Sequence, residues 1–128
     1  MKMISTGKAP AAVGPYSQAI VSGGFVFVSG QLGMDASGAF CEGVAAQTEN
    51  AINNLSAILI AAGSSLDRVV KTTCFLANLQ DFASFNQAYD RYFTAKPSRT
   101  LIEASALPKG SLVEIDAIAE IGEKEEKI

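Results

Sequence analysis

Four apolar residues in a row, Phe25-Val26-Phe27-Val28, follow a shorter apolar run, Ala19-Ile20-Val21, with only Ser22-Gly23-Gly24 between them. Two such runs around a Gly-Gly pair predict an antiparallel hairpin whose turn needs positive φ. The period then changes. From Val44 the apolar or small positions Val44, Thr48, Ala51, Ile52, Leu55, Ile58, Leu59 and Ala62 recur at helical spacing, and Gly63 stands where a helix commonly ends in a left-handed residue. Val69 to Leu76 is rich in β-branched and aromatic residues and predicts a strand, after which Asn78 to Asp81 forms a polar loop. Asp81 is placed to N-cap a second helix, whose residues Phe82, Phe85, Tyr89, Tyr92 and Phe93 share the side that packs on a sheet, and Lys96-Pro97 ends it. Thr100 to Ala104 predicts a strand, Leu107-Pro108-Lys109-Gly110 a turn, and Leu112 to Ile121 a last strand. Its alternation is regular: Val113, Ile115, Ala117, Ala119 and Ile121 point one way, and Leu112, Glu114, Asp116, Ile118 and Glu120 the other.

Strands, helix, strand, helix, strands in that order predict an α+β fold, a single mixed β-sheet with two helices packed on one face. Phe25 to Val28 is apolar at every position, as in a strand buried on both faces. Two helices cover one face only, so other subunits are expected to cover the second. Glu114 and Asp116 lie on that second side, away from the main core.

The chain has 128 residues, 48% of them hydrophobic, enough for one domain over residues 1–128 without metals or crosslinks. Its core spans about residues 14–121, and the tail 122–128, alternating in charge, reads as a solvated end. No apolar run approaches the roughly 18 residues that span a bilayer, and Met1 to Gly7 turns polar too soon for a secretory segment, so the expected location is the cytosol. Cys41 and Cys74 are then two reduced thiols. The absence of histidine removes the usual general base and the commonest metal ligand, which argues against a zinc site and rules out a Ser-His-Asp triad. A net charge of -3 with scattered basic residues gives no support to nucleic-acid or membrane binding.

Six segments in register carry a resemblance: Gly14-Pro15-Tyr16-Ser17-Gln18-Ala19, Val28-Ser29-Gly30-Gln31, Val70-Lys71-Thr72-Thr73, Phe85-Asn86 with Tyr89, Pro97-Ser98-Arg99-Thr100, and Leu107-Pro108 with Val113-Glu114-Ile115. Together they resemble the signature of the Rid (YjgF-like) family, and the match runs from about Gly14 to Ala119. The resemblance implies a chorismate-mutase-like homotrimer, with the sheets forming a central barrel and active sites in the clefts between subunits. It also implies hydrolysis of 2-aminoacrylate, 2-iminopropanoate and 2-iminobutanoate to 2-keto acids and ammonia. These enamines and imines are released by pyridoxal-phosphate-dependent dehydratases, and the hydrolysis itself needs no cofactor.

Arg99 is the first candidate residue, because a planar guanidinium offers parallel charge-assisted hydrogen bonds to a carboxylate; otherwise it is a surface arginine. Glu114 sits mid-strand among apolar neighbours on a face expected to be covered, where an unpaired carboxylate is costly. The resemblance implies that it holds and activates the attacking water, a role suited to a carboxyl whose pKa burial has raised. The plain alternative is a salt bridge, for which Asp116 is the better candidate. Tyr16, after the rigid Gly14-Pro15, either sits at a cleft edge or is an ordinary core tyrosine. Asn86 matches the family's site asparagine and either orients Arg99 or the substrate or is simply solvated. Ser29 and Gly30 end the apolar strand, where glycine lets a ligand approach the backbone or the strand simply turns. Leu101 stands where many of the deaminases carry cysteine, a substrate-binding position thought to act through its backbone. Ser98 replaces a more common alanine, and the connection Thr94-Ala95-Lys96 is short. Two rival functions remain open: a non-catalytic receptor for a small carboxylate such as a 2-keto acid, and an endoribonuclease, the latter disfavoured by charge and by the missing histidine.

Overall fold

In the computed structural model of the protein, which describes residues 1–122, six strands form one sheet around two helices. The strands are β1 (Lys2–Ile4), β2 (Ala19–Ser22), β3 (Phe25–Leu32), β4 (Val69–Leu76), β5 (Ser98–Glu103) and β6 (Val113–Glu120), and the helices are α1 (Val44–Ala61) and α2 (Phe82–Tyr92). Their order in the sheet is β1-β2-β3-β6-β4-β5. Only β4 and β5 run parallel, joined by a crossover through α2; the other neighbours are antiparallel, so the sheet is mixed as expected. The alternating charges from Glu123 onward lie outside the described residues.

The hairpin of β2 and β3 turns on Gly23 (φ 62°) and Gly24 (φ 86°), the left-handed pair that a tight two-residue loop demands. α1 lays Val44, Thr48, Ala51, Ile52, Leu55, Ile58 and Leu59 against β3 and β6 and ends on Gly63 at φ 87°. α2 packs beside α1 and buries Phe85, Ala88 and Tyr89. Under the helices, Val26 and Val28 of β3, Cys74 and Leu76 of β4, and Val113, Ile115, Ala117 and Ala119 of β6 form the core. No described helix is long and apolar enough to cross a membrane. Cys41 is exposed and Cys74 buried, and both are free thiols; burial pushes the Cys74 thiol up to about 11, which makes it a protonated core residue.

Several expectations need correction. The sheet has a first strand, β1, that the hydrophobic pattern did not announce: Met3 pairs with Ile20 while remaining exposed. Ser29 and Gly30 do not end β3. They form a bulge between Val28, which pairs with Ala117, and Gln31, which pairs with Ile115, and the strand continues to Leu32. Asp81 makes no side-chain cap; Asn78 accepts from the Gln80 N–H instead, at 2.9 Å, and a single 3-10 turn leads into α2. Phe82, at the first position of α2, is exposed and not packed like Phe85 and Tyr89. β5 runs from Ser98 to Glu103, leaving Ala104 outside it, and β6 is one residue shorter at each end than predicted.

The second face of the sheet is open in a single chain. One row across it reads Met3, Ile20, Phe27, Ile118, Lys71, Ser98, and another Leu32, Glu114, Phe75, Ile102. Phe25 and Phe27 are 37% and 45% exposed there, so β3 is buried on one face only within the chain.

Candidate active site

β5 carries Arg99 on the helix-covered face, directly opposite Thr72 of β4. The first turns of α2 pass above it, and their residues hold the guanidinium. Asn86 Oδ1 accepts a 2.8 Å hydrogen bond from Arg99 Nη1, so Asn86 is not simply solvated. Arg99 Cζ lies 4.9 Å from the Tyr89 ring centre, 5.8 Å from that of Phe85 and 6.0 Å from that of Phe82, all within cation–π range. Asn86, Tyr89, Asp90, Phe93, Lys96 and Arg99 border a cavity of about 450 Å³. Leu101, two residues further on the same face, pairs with Cys74 and packs against the core, and it does not border this cavity.

Glu114 occupies the other face, in a second cavity of about 570 Å³. Its walls come from the segment Pro10–Val13, Tyr16, the bulge Ser29-Gly30, Leu32 and Met34, with Pro108 and Lys109. Most of these are apolar. Burial first, and the Asp116 carboxylate second, hold Glu114 above the usual carboxylate range. Among the described residues it has no ion pair, so the salt-bridge alternative is not realised within the chain. Asp116 does not form one either: its Oδ1 accepts the Thr73 N–H at 3.2 Å, and burial raises its pKa despite that bond.

Gly30 is required by Glu114. A Cβ built at Gly30 falls 2.8 Å from Glu114 Cδ, and closer still to Oε2, so the carboxylate lies against the bare α-carbon of the bulge. Ser29 is more occupied than its position at the cavity suggests. Its N–H donates to the Gln18 carbonyl at 2.9 Å and its hydroxyl to the Ser17 carbonyl at 2.7 Å, which leaves neither of its donors for a ligand. Tyr16 is 53% exposed and borders the cavity, so it is no core tyrosine; its N–H bonds the Gly14 carbonyl at 2.8 Å, and its ring folds over Gly14.

Two buried amides that the sequence pattern did not single out hold these walls. Gln18 accepts from the Thr6 N–H at 2.7 Å and donates to the Pro10 carbonyl at 2.8 Å, fixing the N-terminal wall. Gln47 of α1 accepts from the Leu112 N–H at 2.8 Å and donates to the Cys41 carbonyl at 3.0 Å, while Ser111 accepts from the Gly33 N–H at 2.9 Å. This network pins the entry to β6, two residues before Glu114. A glutamine on the inward stripe of a helix was the available signal.

Within one chain the two charged candidates do not meet. Arg99 and Glu114 are on opposite faces, and by strand spacing and rise they are about 14 Å apart in the plane of the sheet. The sequence-predicted residues therefore form two half-sites, one with Arg99 and Asn86, the other with Glu114, Gly30, Ser29 and Tyr16.

Comparison with known proteins places this arrangement. Residues 6–121 match the family model described as endoribonuclease L-PSP. The chain is 50% identical over 121 residues to the 2-iminobutanoate/2-iminopropanoate deaminase of Bos taurus, covering 92% of this chain and 88% of that protein. Among solved structures, RidA from an Antarctic Psychrobacter bacterium superposes with a TM-score of 0.91 at 45% identity, covering 94% of this chain and 100% of the other. Escherichia coli TdcF, solved with bound serine, does so with a TM-score of 0.91 at 36% identity, covering 95% and 100%. A family match over residues 6–121, half-identical relatives of nearly the same length and a shared fold lead to one assignment: the chain belongs to the endoribonuclease L-PSP family, that of the Rid proteins it resembles.

Proposed function

We propose that the protein is a hydrolytic deaminase of small 2-imino and 2-enamino acids, acting as a homotrimer in which the Arg99 half-site of one subunit faces the Glu114 half-site of the next. The observation that carries this reading is the pair itself: a guanidinium preset on an aromatic seat, and a carboxyl with a raised pKa and, among the described residues, no ion pair, in a cavity of mixed lining, the two too far apart to act within one chain. Half-sites on opposite faces, together with the exposed Phe25 and Phe27, favour assembly through the open sheet face. The relatives named as 2-iminobutanoate/2-iminopropanoate deaminases favour the same chemistry.

In this mechanism Arg99 fixes the substrate carboxylate through the donors that Asn86 does not occupy. The Glu114 carboxylate takes a proton from a water as its oxygen bonds to the C=N carbon. With the substrate as its iminium, the C=N electron pair moves to nitrogen and a neutral carbinolamine forms. Glu114 returns the proton to that nitrogen and then accepts the carbinolamine hydroxyl proton as C=O forms and the C–N bond breaks, so that ammonia leaves with the 2-keto acid and carries this last proton away as ammonium. A raised pKa brings Glu114 nearer to the working pH of a proton acceptor, and positioning supplies much of the rate. Tyr16 closes the edge of the cavity, and Gly30 leaves room for the carboxylate. The supply of such substrates falls to pyridoxal-phosphate-dependent dehydratases acting in the same compartment, the cytosol.

The test follows decay of 2-iminopropanoate, generated in situ by an amino-acid oxidase and trapped with semicarbazide. Arg99→Ala and Glu114→Gln should each abolish the acceleration, and an equal mixture, refolded together, should regain about a quarter of it from sites that combine two intact halves. Unchanged activity in both single variants sinks the mechanism. Tighter binding of pyruvate by an inactive Glu114→Gln, with no acceleration in the wild type, favours the receptor instead.

A further inference from the structure

We propose that Tyr89 is the positioning residue that presets Arg99 for carboxylate binding, an inference that rests on the reading of Arg99 given above. The helix supplies both of Arg99's supports from one face: Asn86 takes Nη1, and Tyr89, one turn later, lies under the guanidinium with the shortest of its three ring distances, 4.9 Å. The Tyr89 ring cannot swing away, because it is held at both ends. Its hydroxyl shares a buried 2.7 Å hydrogen bond with the hydroxyl of Thr72, the residue paired with Arg99 across the β4–β5 ladder. Its ring packs against Phe93, with centroids 4.4 Å apart, and against Phe85 at 5.5 Å. Thr72 thus fixes the ring from the strand that also sets the height of Arg99.

This geometry does more than cover a core. An arginine side chain loses several rotors when it binds, and a carboxylate must meet its fork edge-on. A ring 4.9 Å from the guanidinium carbon, with Asn86 bonded to Nη1, narrows the orientations of the fork before the substrate arrives. Tyr89 touches no reacting atom in this account, so its effect passes entirely through Arg99 and should be felt in binding and not in the chemical step.

The experiment compares KM and kcat for 2-iminopropanoate in the wild type, Tyr89→Leu and Tyr89→Phe. Removing the ring in Tyr89→Leu should raise KM about tenfold, the size of one partly desolvated cation–π contact, with kcat held within about twofold. Tyr89→Phe, which keeps the ring, should recover most of that loss. A second measurement does not depend on the leucine variant folding: the Arg99 Nε–H resonance should be shifted upfield by the ring in both the wild type and Tyr89→Phe. A KM unchanged in Tyr89→Leu, a phenylalanine variant as impaired as the leucine one, or an unshifted Arg99 resonance would overturn the proposal. If Arg99→Ala loses the activity and Tyr89→Leu leaves KM unchanged, only the role of Tyr89 fails; if Arg99→Ala has no effect, the carboxylate reading fails with it.

Discussion

Replacing Gly30 by alanine should separate activity from stability. Gly30 lies in the bulge of β3, and its φ is not in the left-handed region, so alanine fits the backbone. The three atoms nearest the added Cβ all belong to the Glu114 side chain, with Cδ at 2.8 Å and Cγ at 3.0 Å, where ordinary contact begins near 3.4 Å. Glu114 must therefore withdraw, and its carboxylate by roughly 1 Å, a displacement that can cost about a hundredfold in rate when the group is the proton acceptor. The stability change is small because two terms oppose each other. An off-rotamer glutamate costs about 0.5–1.5 kcal/mol, and alanine in place of glycine returns about 0.4–1 kcal/mol by restricting the unfolded chain. The assay is imine decay at saturating substrate, paired with urea unfolding of the same preparations. We expect kcat to fall about a hundredfold with stability within about 1 kcal/mol of the wild type. A kcat within threefold of the wild type would refute the claim that the glycine exists for the carboxylate. A loss of more than about 3 kcal/mol would refute the claim that only a flexible side chain stands in the way.

Three further outcomes follow from the open face of the sheet. Asp116→Asn removes the second cause of the raised Glu114 pKa, so the acid limb of the kcat/KM profile should move to lower pH, and a limb that stays in place contradicts the coupling. Because Asp116 is itself raised on folding, its stabilising contribution is full below its ordinary range and is lost as pH rises through the folded value; the asparagine variant should therefore be the more stable near pH 7 and show no such gain near pH 3 in thermal melts. Phe27→Lys puts a charge into the row of Met3, Ile20 and Ile118 and should give a monomer by light scattering, with deamination lost as the half-sites separate; a trimer that survives would move the interface elsewhere.

Period alone determined most of the architecture. The alternation from Leu112 to Ile121 sets which side of β6 meets the helices, and a slip of one residue would expose Val113, Ile115 and Ala117 together, so the pattern admits one answer. The helical spacing from Val44 likewise decides which stripe of α1 is buried, and Gly23-Gly24 decides where the chain reverses. These are local properties, carried by neighbouring residues. Arg99, Glu114 and Asn86 could be named as candidates from motif order, since each stands in a short segment of its own.

What tertiary structure decided is what depends on pairing between distant segments. The bulge that carries β3 past Ser29-Gly30 exists only against β6, and β1 exists only because β2 offers it an edge. The amides of Gln18 and Gln47 are polar by type and buried by circumstance, satisfied by Pro10 and by Leu112, partners that no local period reveals. The outward side of Glu114 follows from the alternation of β6, but Arg99 falls on the opposite, core side only because the parallel register of β4 and β5 sets it beside Thr72. Side-chain direction within a strand is written in the sequence, but the face a partner strand presents is settled only when the sheet is assembled.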